Sequence, residues 1–213
     1  LLLIVNSLYK LSLLSANAVM FQNRDDKALF EKNKIVCSHK SYVVNGSGVD
    51  LCFYRFGKPP PKMSFLLLAR LLNSKGVAVY FEAAKNIKNR YPKIEFRLAG
   101  KIDVMNKDSI ERSELNSWIK SGVIKYYGEL SDVRPAIKDC SVYVLPSFYR
   151  EGVPRSILEA MSMGRAIITS NTPGCRETVT DGVNGYLIAP QSVSDLEAAM
   201  MKFIDNPALA EQM

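Results

Sequence analysis

Short apolar runs alternate with amphipathic stretches over most of the chain. A continuous apolar segment predicts a buried strand at 63–69, and further strands are predicted at 94–100, 123–127, 141–145, 166–170 and 186–188. Helical spacing of apolar residues predicts helices at 76–91, 109–120, 133–139, 156–163, 176–180 and 193–203. Strands that are apolar on both faces are typical of parallel sheets covered by helices. The alternation therefore predicts an α/β fold with a doubly wound parallel sheet.

The first part of the chain follows a different pattern. Leucines at helical spacing predict a helix over 8–18, and short strands are predicted at 19–22, 35–36 and 42–44. A cluster of Asn and Asp at 23–26 is expected to cap a helix over 27–32.

The two ends of the chain suggest that it belongs to a longer protein. Residues 1–5 are apolar, but Asn6, Lys10 and Asn17 interrupt the run too early for a membrane span of about 20 apolar residues. No initiator methionine and no small-residue cleavage site accompany the run. The other end stops within a helical pattern, so we expect residues to be missing on both sides.

Composition narrows the class of partner only slightly. Hydrophobic residues make up 47% of the chain and charged residues 23%, which is ordinary for a globular protein with a full core. A net charge of +7 fits an anionic partner or simply a basic surface. No basic run is interleaved with aromatic residues, so nucleic acid is not expected as a partner.

The cysteines predict neither a metal site nor a disulfide framework. Cys37, Cys52, Cys140 and Cys175 are widely scattered, and His39 is the one histidine. Zinc sites need Cys and His ligands at closer spacing. We expect reduced thiols in a cytoplasmic protein.

The segment 148–161 carries the candidate chemistry. Glu151 lies in a predicted loop, and Glu159 lies on the following helix. Gly152 would let a ligand approach the backbone, while a helix start opened by Pro154 would offer amides to an anion. This combination suits a ligand with phosphates and hydroxyls, such as a nucleotide sugar. The structural alternative is that Glu151 complements the helix dipole and Glu159 lies on a surface face.

A pair of cations adds to this picture. Arg70 ends the first strand of the α/β region, and Lys75 lies at the start of the next helix. Two cations there would neutralise a diphosphate and stabilise the charge that develops as a sugar bond breaks. On spacing alone they could equally be solvated surface charges. Gly46 and Gly48 likewise fit either a hinge or an ordinary turn.

Taken together, these segments resemble a known family. The segment 148–161 resembles the E-x7-E motif of retaining glycosyltransferases of family 4, which have the two-domain GT-B fold. Other motifs agree in the same order: 45–50 resembles the interdomain hinge, 70–76 the Arg/Lys pair that grips the donor diphosphate, and 172–177 with 181–185 the late G-x-x-E and D-G-x-N-G signatures.

The resemblance implies a domain organisation. Residues 1–45 would be a short remnant of the N-terminal acceptor domain, and residues 46–61 a hinge or linker. Residues 62–213 would be the C-terminal, Rossmann-like nucleotide-sugar-binding domain of a GT-B enzyme.

The resemblance also implies roles for individual residues. Arg70, Lys75 and Glu151 would be catalytic, with Glu151 contacting hydroxyls of the donor sugar or, alternatively, acting as a nucleophile. Glu159 would accept hydrogen bonds from both ribose hydroxyls. The remaining donor-binding positions are Gly48, Leu130, Gly152 and Val153. Arg155 and the segment 173–177 resemble the branch that extends undecaprenyl-diphosphate-linked glycans, although Arg155 could also be a solvated helix start.

The implied activity is transfer of a sugar from a nucleotide donor, UDP-linked by expectation, to a glycan or undecaprenyl-diphosphate-linked acceptor in surface polysaccharide biosynthesis. No metal or other cofactor is expected. The implied location is the cytoplasm, with peripheral association at the inner face of a bacterial membrane. As a truncated donor-binding part, the chain is expected to bind nucleotide weakly and to turn over poorly.

Other functions remain open at this point. A nucleotide-sugar epimerase of the same fold would bind the same donor, and a non-catalytic nucleotide-binding domain would keep the fold alone. A dinucleotide-binding oxidoreductase is disfavoured because no strand is followed by G-x-G-x-x-G. The absence of a phosphate-binding Walker loop likewise disfavours an ATPase.

Overall fold

The structure, a computed structural model, describes residues 2–213, with side chains from residue 3 onward. Leu1, in the apolar run at 1–5, therefore lies outside the described residues. The strands are β1 Val19–Phe21, β2 Ser41–Val43, β3 Ser64–Leu68, β4 Glu95–Ala99, β5 Ile124–Tyr126, β6 Val142–Leu145, β7 Ala166–Ser170 and β8 Gly185–Ile188. The helices are α1 Leu2–Ser12, α2 Arg24–Lys32, α3 Val77–Arg90, α4 Arg112–Lys120, α5 Arg134–Lys138, α6 Arg155–Ser162, α7 Val193–Asp205 and α8 Leu209–Gln212.

The larger sheet is parallel throughout and has the strand order β5-β4-β3-β6-β7-β8. Strand β3 pairs with β4 on one side and with β6 on the other, so the direction of winding reverses between β3 and β6. In sheets of this kind, ligands bind beyond the carboxyl ends of the strands at such a switch point. The predicted fold class, α/β with a doubly wound parallel sheet, is confirmed.

The core lies on both faces of this sheet, because successive strand residues point to opposite sides. Phe65 and Leu67 pack with α3, α4 and α7 on one face, whereas Leu66 packs with α5 and α6 on the other. Tyr80 is fully buried on the first face, and its hydroxyl donates to the carbonyl oxygen of Phe65 at 2.9 Å. The strands are therefore fixed from both sides, and the loops at their ends have a rigid base.

A smaller unit precedes the large sheet. Strands β1 and β2 pair in parallel, and α2 connects them. Asn23 caps α2, since its Oδ1 accepts from the backbone N–H of Asp26 at 2.7 Å. The capping predicted for the cluster at 23–26 is thus present, although α2 begins at Arg24 rather than at residue 27.

The strand predicted at 35–36 is wrong. Lys34 has a φ of 54°, and Ile35 N–H donates to the carbonyl oxygen of Phe30 at 2.9 Å. This is a helix C-terminal turn in which a left-handed residue is followed by an apolar one. Ile35 and Val36 are buried in that turn, so their apolar character reflects packing rather than strand pairing.

The helix predicted at 176–180 is also wrong, because this segment forms turns. The side chain of Asn184 takes backbone groups that a helix would use: its Oδ1 accepts from Thr180 N–H at 2.8 Å, and its Nδ2 donates to Thr178 O at 3.0 Å. Hydrogen bonds of this kind from Asn and Thr compete with helix formation.

The N-terminal helix runs from Leu2 to Ser12 instead of over the predicted 8–18. Its last residue donates a side-chain hydrogen bond back to the carbonyl oxygen of Tyr9 at 2.9 Å. Across the described part of the chain, every helix falls short of the length and apolar character that crossing a bilayer requires.

Arg165 ties several loops to the base of the sheet. The residue is 2% exposed, and its guanidinium donates to the carbonyl oxygens of Cys140 at 2.9 Å and Met163 at 2.8 Å, and also to that of Gly57. Burial lowers the pKa of Arg165 from its usual value. These hydrogen bonds connect the segment before β3 to the turns that precede β6 and β7.

We expect Arg165→Met to lower the free energy of unfolding by about 3 kcal/mol, because several buried carbonyl oxygens lose a charged donor at once. Urea denaturation followed by circular dichroism measures this loss. Arg90→Met is the matched control, since Arg90 is exposed and paired with Glu197, and we expect it to cost less than about 1 kcal/mol. Equal losses in both variants would contradict a tethering role for Arg165.

Candidate functional site

A cleft of about 510 Å³ lies beyond the carboxyl ends of the central strands. It brings together most of the predicted site residues, which come from loops after β3 and β6 and from the segment after β5. The cleft is lined by Leu68, Ala69, Arg70, Lys75, Gly100, Lys101, Glu129, Leu130, Leu145, Glu151, Pro154, Arg155, Ser156 and Glu159. Arg70, in the loop after β3, and Glu159, on α6, thus line the same cleft.

Lys75 and Glu151 form an ion pair inside the cleft. Their side chains are 16% and 13% exposed, and Ser147 Oγ donates to Glu151 Oε1 at 2.9 Å. Lys75 is positioned by the turn Asn73–Lys75, which Gly76 ends with a φ of 76°. A Cβ at position 76 would collide with the carbonyl oxygen of Pro146, so glycine lets this turn pack against the end of β6. The ammonium group is thereby held where a phosphate could share it with the carboxylate.

Arg70 lies at the mouth of the same cleft. Its side chain is 58% exposed, and its Nη1 is 3.3 Å from Asp103 Oδ2. Exposed ion pairs contribute little to stability, so a phosphate could replace Asp103 at small cost. Arg70 and Lys75, which both follow β3 in the chain, therefore place two positive charges in the cleft lining.

Glu159 is buried on α6, which contradicts the alternative of a surface position. The residue is 9% exposed, and Arg155 Nη2 lies 3.7 Å from its Oε1. Burial raises the pKa of Glu159, while the neighbouring Tyr54 hydroxyl and the charge of Arg155 oppose that rise. A carboxylate that is buried and yet faces a cleft is suited to accept hydroxyl donors from a ligand.

Tyr54 was missed by the sequence reasoning. It belongs to the segment 46–61 that was predicted as a hinge or linker. Its pKa is raised mainly by burial and to a smaller extent by the negative charge of Glu159. Ser162 Oγ bonds to its carbonyl oxygen, so the segment is packed against α6 at this point. An aromatic cluster within a supposed linker was the available signal, since Phe53, Tyr54 and Phe56 occur close together.

Three predicted donor-binding positions do not line this cleft. Gly48 has a φ of 73° and no atom within 4 Å of a Cβ built on it. Val153 N–H donates to Gln22 Oε1 at 2.9 Å, and Gly152 packs against the same side chain. The Val153 amide, one of the two expected to bind a diphosphate, is thus bonded to the turn between β1 and α2. Roles for these positions remain predictions.

The segment 172–177 packs against the loop that carries Glu151. Gly174 packs so closely on the loop that a Cβ there would collide with the carbonyl oxygen of Gly152. Arg176 Nη2 donates to Asn171 O at 3.2 Å, and its Nε lies 3.9 Å from Asp25 Oδ2, outside the cleft lining.

Pro154 precedes the first helical residue of α6 rather than occupying it. Among residues 3–213, no three His, Cys, Asp or Glu side chains are grouped as metal ligands.

Comparisons with known proteins are consistent with this geometry. The family model described as "Glycosyl transferases group 1" matches residues 62–206. An N,N'-diacetylbacillosaminyl-diphospho-undecaprenol alpha-1,3-N-acetylgalactosaminyltransferase from Campylobacter jejuni is 29% identical, over 97% of this chain and 56% of that protein. An Escherichia coli UDP-Gal:alpha-D-GlcNAc-diphosphoundecaprenol alpha-1,3-galactosyltransferase is 31% identical, over 68% of this chain and 37% of that protein.

A solved structure shares the fold. The crystal structure of Anabaena Alr3699/HepE in complex with UDP superposes with a TM-score of 0.80 at 20% identity, covering 92% of this chain and 56% of that one. The chain spans about half the length of the curated relatives it matches.

Proposed function

The chain belongs to the group 1 glycosyltransferases, and from this premise we propose that it carries the donor-binding cleft of a retaining glycosyltransferase that uses a nucleotide sugar. One observation supports this most strongly: Arg70, Lys75, Glu151 and Glu159 all line the same cleft at the switch point of the sheet. Cations for a diphosphate and carboxylates for hydroxyls are the two kinds of group that such a donor requires.

In this proposal, Arg70 and Lys75 bind the donor diphosphate. When the bond between the sugar and the β-phosphate breaks, negative charge grows on the departing phosphate oxygen, and the two cations stabilise it. The phosphate shares Lys75 with Glu151, which then also accepts hydrogen bonds from sugar hydroxyls. Glu159, on the other side of the cleft, accepts hydrogen bonds from the ribose hydroxyls.

The domain organisation is part of the same proposal. Residues 62–213 would form the donor-binding domain and 46–61 a linker, and residues 1–45 would belong to an acceptor domain. Strands β1 and β2 pair only with each other and not with the large sheet, which supports assigning residues 1–45 to a separate domain. The packing of Tyr54 on α6 indicates that part of the linker is fixed to the second domain.

The acceptor is proposed to be a glycan or an undecaprenyl-diphosphate-linked saccharide in bacterial surface polysaccharide biosynthesis. The relatives from C. jejuni and E. coli support this, since both are described as acting on diphospho-undecaprenol-linked sugars. An acceptor anchored in lipid would bring the protein to the inner face of the membrane, where peripheral association is the proposed location. The E. coli relative is described with a UDP-linked donor, which favours UDP as the nucleotide.

Isothermal titration of the chain with UDP, GDP and NAD tests the proposal. We expect saturable binding of UDP with one site per chain, weaker binding of GDP, and no binding of NAD. Folded protein that binds none of the nucleoside diphosphates would contradict the proposal. An epimerase would differ in releasing UDP from its UDP-sugar in the absence of any acceptor, which chromatography of a reaction mixture containing only protein and UDP-sugar would reveal.

A further inference from the structure

The turn between β1 and α2 contacts the backbone of the loop that carries Glu151. Gln22 Oε1 accepts a hydrogen bond from Val153 N–H at 2.9 Å, and Asn23 Nδ2 donates to Glu151 O at 3.1 Å. These two contacts lie on either side of Gly152. A Cβ at position 152 would collide with Gln22 Oε1, so a side chain there would displace the Gln22 carboxamide from this position.

The turn that makes these contacts is itself rigid. Asn23 is fully buried, and it bonds to Asp26 twice: its Oδ1 accepts from the backbone N–H at 2.7 Å, and its Nδ2 donates to the carboxylate at 2.8 Å. Asp26 in turn pairs with Arg150 at 2.7 Å. Asn23 and Asp26 therefore both cap α2 and contact the loop that carries Glu151.

The loop is also held from its other sides. Gly174 packs against the carbonyl oxygen of Gly152, and a Cβ at Gly46 would lie 2.9 Å from the Cβ of Val153. The Glu151 side chain points in the opposite direction, into the cleft, where it meets Lys75 and Ser147. A shift of the loop backbone would consequently move the carboxylate that orients Lys75.

We propose that Gln22 and Asn23 are positioning residues for the donor cleft. Neither side chain lines the cleft, so both act through the backbone of Glu151 and Val153. The inference rests on the proposed function, because the ligand whose affinity it affects is the nucleotide sugar. It also gives the β1–α2 segment a role in donor binding, in addition to any part in acceptor binding.

Gln22 offers a matched pair of substitutions. Gln22→Met keeps the length of the side chain and removes the acceptor, whereas Gln22→Glu keeps an oxygen that can accept from Val153 N–H. Gln22 is exposed, so neither change should cost more than about 1 kcal/mol of unfolding free energy. We expect Gln22→Met to weaken UDP binding about fivefold, as loss of one hydrogen bond predicts, and Gln22→Glu to remain within about twofold of the unmodified chain.

Asn23 needs a substitution that preserves the cap of α2. Asn23→Ser keeps a good capping side chain but cannot reach the carbonyl oxygen of Glu151. We expect it to weaken UDP binding severalfold while α2 remains folded. Asn86→Ser is the control. Asn86 lies on the exposed surface of α3, and its side chain bonds to Glu197 of α7 and not to the loop that carries Glu151.

A second measurement keeps this inference separate from the proposed function. Amide exchange of Val153, followed by nuclear magnetic resonance without ligand, should be about tenfold faster in Gln22→Met and unchanged in Gln22→Glu. Unchanged protection of Val153 in Gln22→Met would overturn the positioning role, as would wild-type UDP affinity in that variant. If the unmodified chain failed to bind UDP, the proposed function would fall, and the exchange rates would still decide whether Gln22 holds the loop.

Discussion

Glu159→Ala is expected to weaken UDP binding by about 100-fold. In the proposed complex the carboxylate accepts hydrogen bonds from both ribose hydroxyls, and each charge-assisted bond of this kind contributes about 1.5 kcal/mol or more. The effect should be large because Glu159 is buried and water cannot readily take its place. Isothermal titration with UDP measures the change in the dissociation constant.

Two further variants test whether the loss of affinity comes from the hydrogen-bonding oxygens of Glu159. Glu159→Gln keeps one acceptor and should lose less affinity than alanine, since an amide presents a single oxygen. Glu82→Ala is the control for removing a carboxylate, because Glu82 is exposed on α3 and pairs only with Lys85. Binding by Glu159→Ala as tight as by the unmodified chain would exclude Glu159 from the nucleotide site.

Lys75→Met is expected to weaken UDP binding by about 50-fold and to lower the free energy of unfolding as well. The loss of affinity follows from removing a cation that contacts the diphosphate. The loss of stability, about 2 kcal/mol, follows from leaving Glu151 largely buried without its partner. Calorimetry and urea denaturation measure the two effects independently.

The double variant Lys75→Met/Glu151→Gln separates structure from binding. Neutralising Glu151 removes the uncompensated charge, so unfolding stability should return to within about 1 kcal/mol of the original. UDP affinity should not recover, because the cation is still absent. Recovery of both properties would mean that Lys75 matters only as the partner of Glu151. Lys85→Met, at the surface of α3, provides the control.

Much of the fold could be predicted because buried parallel strands leave a strong pattern. The central strands β3, β6 and β7 are buried on both faces over nearly all their length, and glycines or prolines mark many of the turns. One error lies where the backbone closes a helix-terminal turn, and the other lies where a side chain takes over backbone hydrogen bonds. Lys34 and Ile35 form a helix-terminal turn, and Asn184 occupies groups that a helix at 176–180 would need.

The candidate site was predictable to the extent that motifs determine which loop a residue occupies. Arg70, Lys75, Leu130, Glu151 and Glu159 were expected beyond the strand ends, and all of them line the cleft. The direction of a backbone amide is not encoded in this way, because it depends on which neighbouring segment accepts its hydrogen bond. Gln22 binds Val153 N–H from a distant part of the sequence, and nothing in the loop itself indicates that partner.

The switch point of the sheet has a consequence for how the molecule responds to heat. Strands β3 and β6 are in register at only two Cα pairs, Phe65 with Val142 and Leu66 with Tyr143. A donor bound by Arg70 and Lys75 after β3 and by Glu159 after β6 would connect the segments that follow these two neighbouring strands. At a hundredfold excess over its dissociation constant, any ligand specific for the native state adds about 2.7 kcal/mol to the free energy of unfolding. The melting temperature of the protein should therefore rise when the nucleotide is bound.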